Sequence, residues 1–222
     1  MHSKLAKKRK KWIKKLKRTT RRYRPDKWLS SLQNSFLRLT GWHSRIKRDA
    51  YLKKLKAGDI ILAKPLTRQL SLYALLYRIV LHANHIHSML YLGEGKILHT
   101  TAASGVVIAK VPKKIYRSDR YTIMRQLSLN DDERRSIARE ALDWQDYKLD
   151  FGGLLSNVPA KYFNMKKPPV TSSNGRIWCS KLINQIYEDV LNIRLVKTQQ
   201  VPTITSEDLW HSPVLTDIRT IA

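Results

Sequence analysis

The sequence predicts an α+β fold in which an antiparallel sheet or half-barrel comes first and a cysteine-bearing helix follows it. Strand-like apolar segments are grouped within residues 58–127. A helical period then runs from a cap at Asn130 or Asp131 to about Trp144, and another begins near Cys179. Because strands and helices occupy separate stretches of the chain, we expect α+β rather than alternating α/β architecture.

The predicted strands show turn signals at their boundaries. GDIILA at 58–63 has the form of a buried strand opened by a Gly-Asp turn. HSMLYLGEGKILHTT at 87–101 has apolar residues on both sides of the glycines at 93–95, which predicts two strands joined by a turn. GVVIAKV at 105–111 and YTIMRQL at 121–127 add two more strands.

Charge divides the chain into a basic arm, residues 1–50, and a body. The arm holds 18 Lys and Arg against two acids, a net of +16 out of +26 for the whole chain. Apolar residues recur at helical spacing within 5–16 and again within 28–39, on either side of Pro25. A basic amphipathic helix suits an anionic membrane surface, which we expect to contact residues 1–39. Nucleic acid is the alternative partner, and a solvated charge run is the alternative without one.

Residues 57–222 form the second predicted domain. Helical periodicity covers 67–82, and a loop rich in Gly, Pro, Ser and Asn covers 152–175. The longest apolar stretch, 70–81, has 12 residues and includes Arg78, so it is too short to span a membrane. No apolar run of signal-peptide length follows the basic N-terminus. We therefore expect a cytoplasmic protein that can associate peripherally with a membrane.

The single cysteine, Cys179, lies where the loop passes into an amphipathic helix. A lone cysteine excludes an internal disulfide and is either a small buried hydrophobic residue or a reactive thiol. Unpaired backbone N–H groups at a helix N-terminus favour the thiolate, which is the nucleophilic form. This position therefore suits covalent catalysis.

Two histidines supply candidates for the base and its orienting partner. His87 opens one predicted strand, and His99 lies in the next strand across the turn, where the two can meet in an antiparallel hairpin. The spacing of His82, His85 and His87 also permits a metal site, but no Asp, Glu or second Cys joins them at ligand spacing. The sequence therefore predicts no metal and no cofactor. The remaining alternative is that these are ordinary polar residues at a helix–strand junction.

Taken in order, these segments resemble the circularly permuted papain-like (NlpC-type) amidases of the YiiX/YaeF type. That family is related to the NlpC cell-wall peptidases and to lecithin–retinol acyltransferase. The resemblance spans about residues 57–220 and rests on motifs that are weak singly and specific in combination. They are GDIILA (58–63), HSMLYLG (87–93), GKILHTT (95–101), GVVIA (105–109), YKLDF (147–151), WCSKLI (178–183) and TSEDLWHSP (205–213).

The resemblance implies a permuted papain-like fold in which Cys179 is the nucleophile and His87 the general base. His99 falls where the family has its third polar residue, often Glu, so the imidazole would orient His87 without supplying a fixed negative charge. Tyr147 matches a tyrosine near the oxyanion site, where the backbone N–H of Cys179 would also donate.

Three functions follow from these observations. The first is hydrolysis of an amide or peptide bond through a thioester on Cys179. The second is hydrolysis or transfer of a lipid acyl group at an anionic membrane, which the basic arm and His99 favour. The third, of another class, is a non-catalytic module that binds nucleic acid or membrane through the arm.

Overall fold

The computed structural model describes the part of the chain that contains the predicted sheet and the cysteine-bearing helix. The chain divides into two compact units, residues 1–49 and 50–222. The predicted helices of the arm, the predicted helix at 67–82 and most of the predicted loop at 152–175 lie outside the described residues. The described residues are 50–65, 83–113, 115, 120–153, 175–196 and 204–218.

The described elements place five strands before the helix at 131–143, as the sequence predicts. In chain order they are β1 (Ile60–Ala63), β2 (His87–Gly93), β3 (Lys96–Thr101), β4 (Gly105–Lys110), β5 (Tyr121–Arg125), α1 (Asp131–Asp143), β6 (Lys148–Leu149), β7 (Arg176–Ile177), α2 (Cys179–Leu191), α3 (Ser206–Trp210) and β8 (Thr216–Asp217). The predicted α+β class is confirmed.

Six strands form one antiparallel sheet in the order β4-β3-β2-β1-β5-β8. Strand β1 pairs with β2 on one side and with β5 on the other. Ala63 of β1 therefore lies opposite both His87 of β2 and Tyr121 of β5. The predicted hairpin of β2 and β3 is confirmed, and its turn places Glu94 and Gly95 at positive φ. β6 and β7 pair in parallel as a separate two-stranded sheet.

Alternation along the strands gives the sheet two apolar faces. Ile60, Leu62 and Leu90 belong to the core cluster that also contains the buried residues of α1 and α2. Ile61 and Met89 point to the opposite face and belong to a second cluster. Because successive side chains of a strand alternate, His87 lies on the same sheet face as Met89, and His99 lies on the same face as Ile97. Met89 and Ile97 both belong to the second cluster.

Helix α2 is fastened to the start of β1 by buried polar groups. The hydroxyl of Tyr187 donates to the carbonyl of Gly58 at 2.5 Å. The fully buried Asp59 accepts two hydrogen bonds from Arg125, at 2.7 Å from Nε and 2.6 Å from Nη2. Hydrogen bonding to Asp59 raises the pKa of Arg125. A buried carboxylate paired in this way is strongly held, which fixes the backbone next to Gly58, the acceptor of the hydrogen bond from Tyr187 of α2.

Helix α1 begins and α2 ends with the signals expected of helix termini. Asn130 accepts from the backbone N–H groups of Asp132 and Glu133, and the Glu133 side chain accepts from the backbone N–H of Asn130, which forms a capping box. At the end of α2, Asn192 has a φ of 54° and closes the helix in the left-handed conformation. The predicted cap at Asn130 is confirmed.

Candidate active site

Cys179 is the first residue of α2, as the sequence predicts. Trp178 precedes it in an extended conformation, and no side chain caps the helix. The thiol is therefore next to backbone N–H groups that have no partner within the helix, at the positive end of the helix dipole. Cys179 is 7% exposed and is buried by the packing of α2 against the sheet.

His87 and His99 lie within hydrogen-bonding distance of each other. His87 Nε2 is 3.2 Å from His99 Nδ1, and the two rings meet edge to face with an interplanar angle of 72°. Both side chains are half-buried. When His87 Nε2–H donates to His99 Nδ1, the other His87 nitrogen is left to take a proton from a nucleophile.

His87 and Ser88 are the residues that act most on the thiol of Cys179. Burial is the largest influence on this group and raises its pKa, but four opposing contributions together exceed it. They are the positive charge of His87, the hydrogen bond to His87, and hydrogen bonds from the side chain and backbone of Ser88. Their sum lowers the pKa of Cys179 to about 6, so the thiolate is the prevailing form at neutral pH.

His99 is held in its neutral form. Burial, and secondarily the charge of His87, lower the pKa of His99 to about 4. A neutral imidazole can accept the His87 N–H and fix the orientation of that ring, but it adds no negative charge. The structure thus brings Cys179, His87 and His99 together, with His87 between the other two.

Ser88 is a site residue that sequence reasoning missed. Its side chain is fully buried, and its Oγ has no hydrogen-bond partner of ordinary geometry among the described residues, but Ser88 contributes to lowering the pKa of Cys179. The pairing of β2 with β3 starts only at Leu90, so the backbone of Ser88 is not paired with β3 and also acts on the thiol of Cys179. Alternation could have found it, because the residue after His87 faces the side on which α2 packs.

Replacing Ser88 with Ala should raise the pKa of Cys179 without reducing stability. A hydrogen bond to a charged group contributes about 1.5 kcal/mol, which corresponds to a pKa shift of about one unit. Removing a hydroxyl with no other partner should leave the free energy of unfolding unchanged or slightly higher. The thiol pKa is measured from the pH dependence of alkylation, and stability from thermal unfolding.

The matched control is Ser212→Ala, which removes another buried hydroxyl. Ser212 Oγ donates to the carbonyl of Leu195 at 2.5 Å. This variant should lose stability and keep the thiol pKa of the wild type. An unchanged thiol pKa in Ser88→Ala would contradict the assigned role of Ser88.

Ile204 fixes the start of α2. Its carbonyl accepts two hydrogen bonds at 2.7 Å, one from Trp178 Nε1 and one from Ser180 Oγ. These residues flank Cys179 on both sides, so the bonds determine where the thiol sits. Ser180 thereby acquires a structural role at the helix start.

Glu207, three residues later, fixes the approach to the strand that carries His87. One carboxylate oxygen accepts from the backbone N–H groups of Asn84 and His85, at 3.0 and 2.9 Å, and lies 3.0 Å from His85 Nδ1. Burial raises the pKa of Glu207, but the hydrogen bonds from His85 and Asn84 exceed this effect and lower it. Ile204 and the TSEDLW segment thus position the residues on either side of Cys179 and those just before His87.

The remaining histidines of the HxxHxH spacing do not join the cysteine site. His85 is buried between Glu207 and Thr122, with Nε2 3.3 Å from Thr122 Oγ1. His82 lies outside the described residues. Within the described ranges, no group of three or more His, Cys, Asp or Glu side chains is arranged to hold a metal ion.

Tyr147 lies just before β6, at the edge of the described structure. Its ring packs on Trp144 with 4.8 Å between ring centroids, and its backbone carbonyl accepts from Val106 at 2.7 Å. The side chain is 36% exposed. No described contact joins its hydroxyl to Cys179 or His87, so its oxyanion role stays a prediction.

Comparison with known proteins identifies the class as a mixed α+β protein with a YiiX-like fold. No protein-family model matches the chain, and no curated protein sequence does. A solved structure that is similar is that of the metalloprotein YiiX from Escherichia coli O157:H7, of DUF1105. The TM-score is 0.52 at 15% identity, over 72% of this chain and 94% of that chain. At this identity the likeness shows a shared fold.

The described residues bear on two further features, a set of metal ligands and a membrane-spanning helix. YiiX is called a metalloprotein, whereas the side chains described here provide no set of three potential ligands for a metal ion. In the described part of the chain, no helix has the length and apolar character needed to cross a bilayer.

Proposed function

We propose that this protein is a cysteine hydrolase that cleaves an amide or peptide bond through a thioester intermediate. The observation that carries the proposal is the contact of Cys179 with His87, whose ring is in turn oriented by His99. A thiol with a pKa near 6 beside an imidazole is an activated nucleophile. The YiiX-like fold is compatible with the permuted papain-like arrangement that the sequence motifs predict.

The proposed reaction has two steps. His87 takes the thiol proton, the Cys179 sulfur attacks the carbonyl carbon, and the negative charge passes to the carbonyl oxygen. His87 then gives the proton to the leaving amine as the C–N bond breaks, which leaves a thioester. In the second step, His87 takes a proton from water and the hydroxide adds to the thioester carbonyl. The Cys179 sulfur then leaves as the C–S bond breaks, and His87 returns the proton to it.

The N-terminus of α2 supplies the proposed stabilisation of the oxyanion. The backbone N–H of Cys179 lies at an uncapped helix start, where the helix dipole favours negative charge. Tyr147 is a second proposed donor, on the strength of the sequence resemblance. In this proposal the site needs no cofactor.

A second candidate function is hydrolysis or transfer of a lipid acyl group by the same residues. The observation that favours it is His99, because the group that accepts the hydrogen bond from His87 Nε2–H is a neutral imidazole and not a carboxylate. The sequence resemblance extends to lecithin–retinol acyltransferase, in which a histidine also serves this purpose. Both candidate reactions pass through a thioester on Cys179. They differ in the acyl group that is transferred, a peptide acyl group in the first and a lipid acyl group in the second.

Trapping the acyl-enzyme distinguishes the candidates. Native protein is incubated with peptide amides and with long-chain acyl esters, quenched in acid, and its intact mass is measured. Because Cys179 is the only cysteine, protein alkylated beforehand on that thiol is the matched control. A peptide-derived adduct supports the amidase, and a fatty-acyl adduct supports the lipid enzyme. A thiol that accepts neither class and reacts slowly with iodoacetamide would contradict both and favour the non-catalytic module.

We also propose that residues 1–39 bind an anionic membrane surface. Deleting residues 1–50 should leave a folded body, because the first core strand begins at Ile60. Binding to phosphatidylserine-containing vesicles should fall sharply, since each Lys or Arg near such a surface contributes about 1 kcal/mol. Cosedimentation measures the binding.

With the full chain, Trp12 fluorescence should shift to the blue on vesicles. Displacement from vesicles by duplex DNA without any such shift would instead favour the nucleic-acid partner.

A further inference from the structure

An apolar cavity of about 330 Å³ adjoins the two histidines of the candidate site. One end is formed by His87, by Ala63, which pairs with it, and by Tyr121, which pairs with Ala63 from the other side of β1. The other end is formed by Ile97 and Ala109, which pair with each other across β3 and β4. The cavity therefore extends from the proposed base over the apolar face of the sheet.

Aliphatic side chains cover the part of the cavity that lies beyond the histidines. Met89 and Ile97 belong to the second apolar cluster, and Ala109 packs against it. Ile97 is two residues from His99 on the same face of β3, which places it about 7 Å further from the end of the sheet that carries His87. An apolar chain that begins at the histidines would therefore leave water along its whole length.

The lysines that border the cavity are not directed into this apolar space. Lys64 and Lys110 each follow an alanine of the cavity face, so alternation turns their side chains to the opposite face of the sheet. Arg120 Nε donates to the carbonyl of Lys64 at 3.0 Å, and its guanidinium lies 5.5 Å from the centroid of the Tyr121 ring. The far end of the cavity therefore suits an uncharged apolar group.

His87 connects this cavity to the thiol of Cys179, because it acts on the thiol and also lines the cavity. Cys179 is 7% exposed, so an acyl group bound to its sulfur needs space beyond the thiol itself. The cavity supplies such space next to the base. An acyl group whose carbonyl lies beside His87 would extend toward Ile97 and Ala109.

We propose that this cavity is the acyl pocket of the site, an inference that rests on the proposed cysteine hydrolase, and that the substrate carries an aliphatic acyl chain. The chemical step is the thioester formation described above, to which the pocket adds selection of the acyl group. The cavity has about ten times the ~30 Å³ that a water molecule occupies in the liquid. A chain carbon is similar in size to water, so about eight carbons fit. Ala109, with the smallest side chain at the far end, sets the longest chain.

The test measures acylation of the full-length protein by p-nitrophenyl esters from acetyl to decanoyl. All of these esters share one leaving group, so they differ only in the acyl chain. Release of p-nitrophenol gives kcat/KM, and intact mass identifies the acyl group on Cys179. Each added methylene should raise kcat/KM about fourfold until the chain fills the cavity, at about eight carbons.

Two substitutions should move the optimal chain length in opposite directions. Ala109→Leu fills the far end of the cavity and should shorten the optimal chain by about three carbons. Ile97→Val removes one methylene from the wall and should lengthen it by about one carbon. Ala103→Leu is the matched control, since Ala103 is exposed in the turn between β3 and β4 and does not line the cavity. Its chain-length profile should equal that of the wild type.

The acetyl ester does not reach the far end of the cavity, so it should react equally with all three variants and thereby report an intact site. Opposite shifts of the optimum with an unchanged control support the acyl pocket. Equal kcat/KM for acetyl and octanoyl esters, or a profile that moves in neither cavity variant, would overturn this inference alone. Failure of every ester to acylate Cys179 would overturn the proposed hydrolase together with it.

Discussion

Cys179→Ser protein is expected to lose hydrolytic activity by a factor on the order of 10⁴ or more in kcat, because nucleophile and base act as one unit. The serine hydroxyl has a much higher pKa than the thiol, whose pKa the surrounding groups lower to about 6. Activity is measured on whichever acyl donor forms the acyl-enzyme with the wild-type protein.

Stability serves as the control for this substitution. The exchange of sulfur for oxygen is nearly isosteric at a position that is 7% exposed, so the free energy of unfolding should change by only about 1 kcal/mol. The midpoint of thermal unfolding of the variant should therefore lie within about 4 °C of that of the wild type. Hydrolysis that survives in a well-folded Cys179→Ser protein would mean that another residue is the nucleophile.

His87→Ala should reduce kcat by about 10²–10⁴-fold, the usual contribution of a general base. The loss has two physical sources. The imidazole no longer takes the thiol proton, and its charge and hydrogen bond no longer lower the pKa of Cys179. Burial then acts on the thiol with less opposition, so the thiolate fraction at neutral pH falls as well.

Chemical rescue separates this role from a structural one. Added imidazole should restore part of the activity of His87→Ala and none of the activity of Cys179→Ser. His211→Ala is the control, since the His211 side chain is largely exposed and its described ion pair is with Glu207, at 3.5 Å. Wild-type activity in His87→Ala, or rescue of both variants alike, would contradict the assignment of the base.

Long apolar periods made the main elements predictable from the sequence. β1 to β5, α1 and α2 each have a regular period bounded by a turn or cap, so their positions are confirmed to within a few residues. The short strands β6, β7 and β8 were not predicted. Each has two residues, which is too short to show alternation, and their pairing depends on chain segments distant in sequence.

The same distinction applies to the site. Cys179, His87 and His99 were found because thiol and imidazole are uncommon groups placed at a helix start and on adjacent strands. Ser88 and Glu207 could not be predicted in this way, because a serine in a strand and an acid in a short helix have no distinctive chemistry in the sequence. Their roles arise only when α2 and α3 pack against β2 and the residues before it.

The central claim is that Cys179 is a thiolate activated by His87, and the pH dependence of its alkylation tests this most directly. Iodoacetamide reacts with the single cysteine of the native chain, and the rate follows the thiolate fraction. The rate should rise with pH through a midpoint near 6 in the wild type and shift toward or above the ordinary thiol value of about 8.5 in His87→Ala. A wild-type midpoint near that ordinary value, or one that does not move when His87 is replaced, would contradict the account.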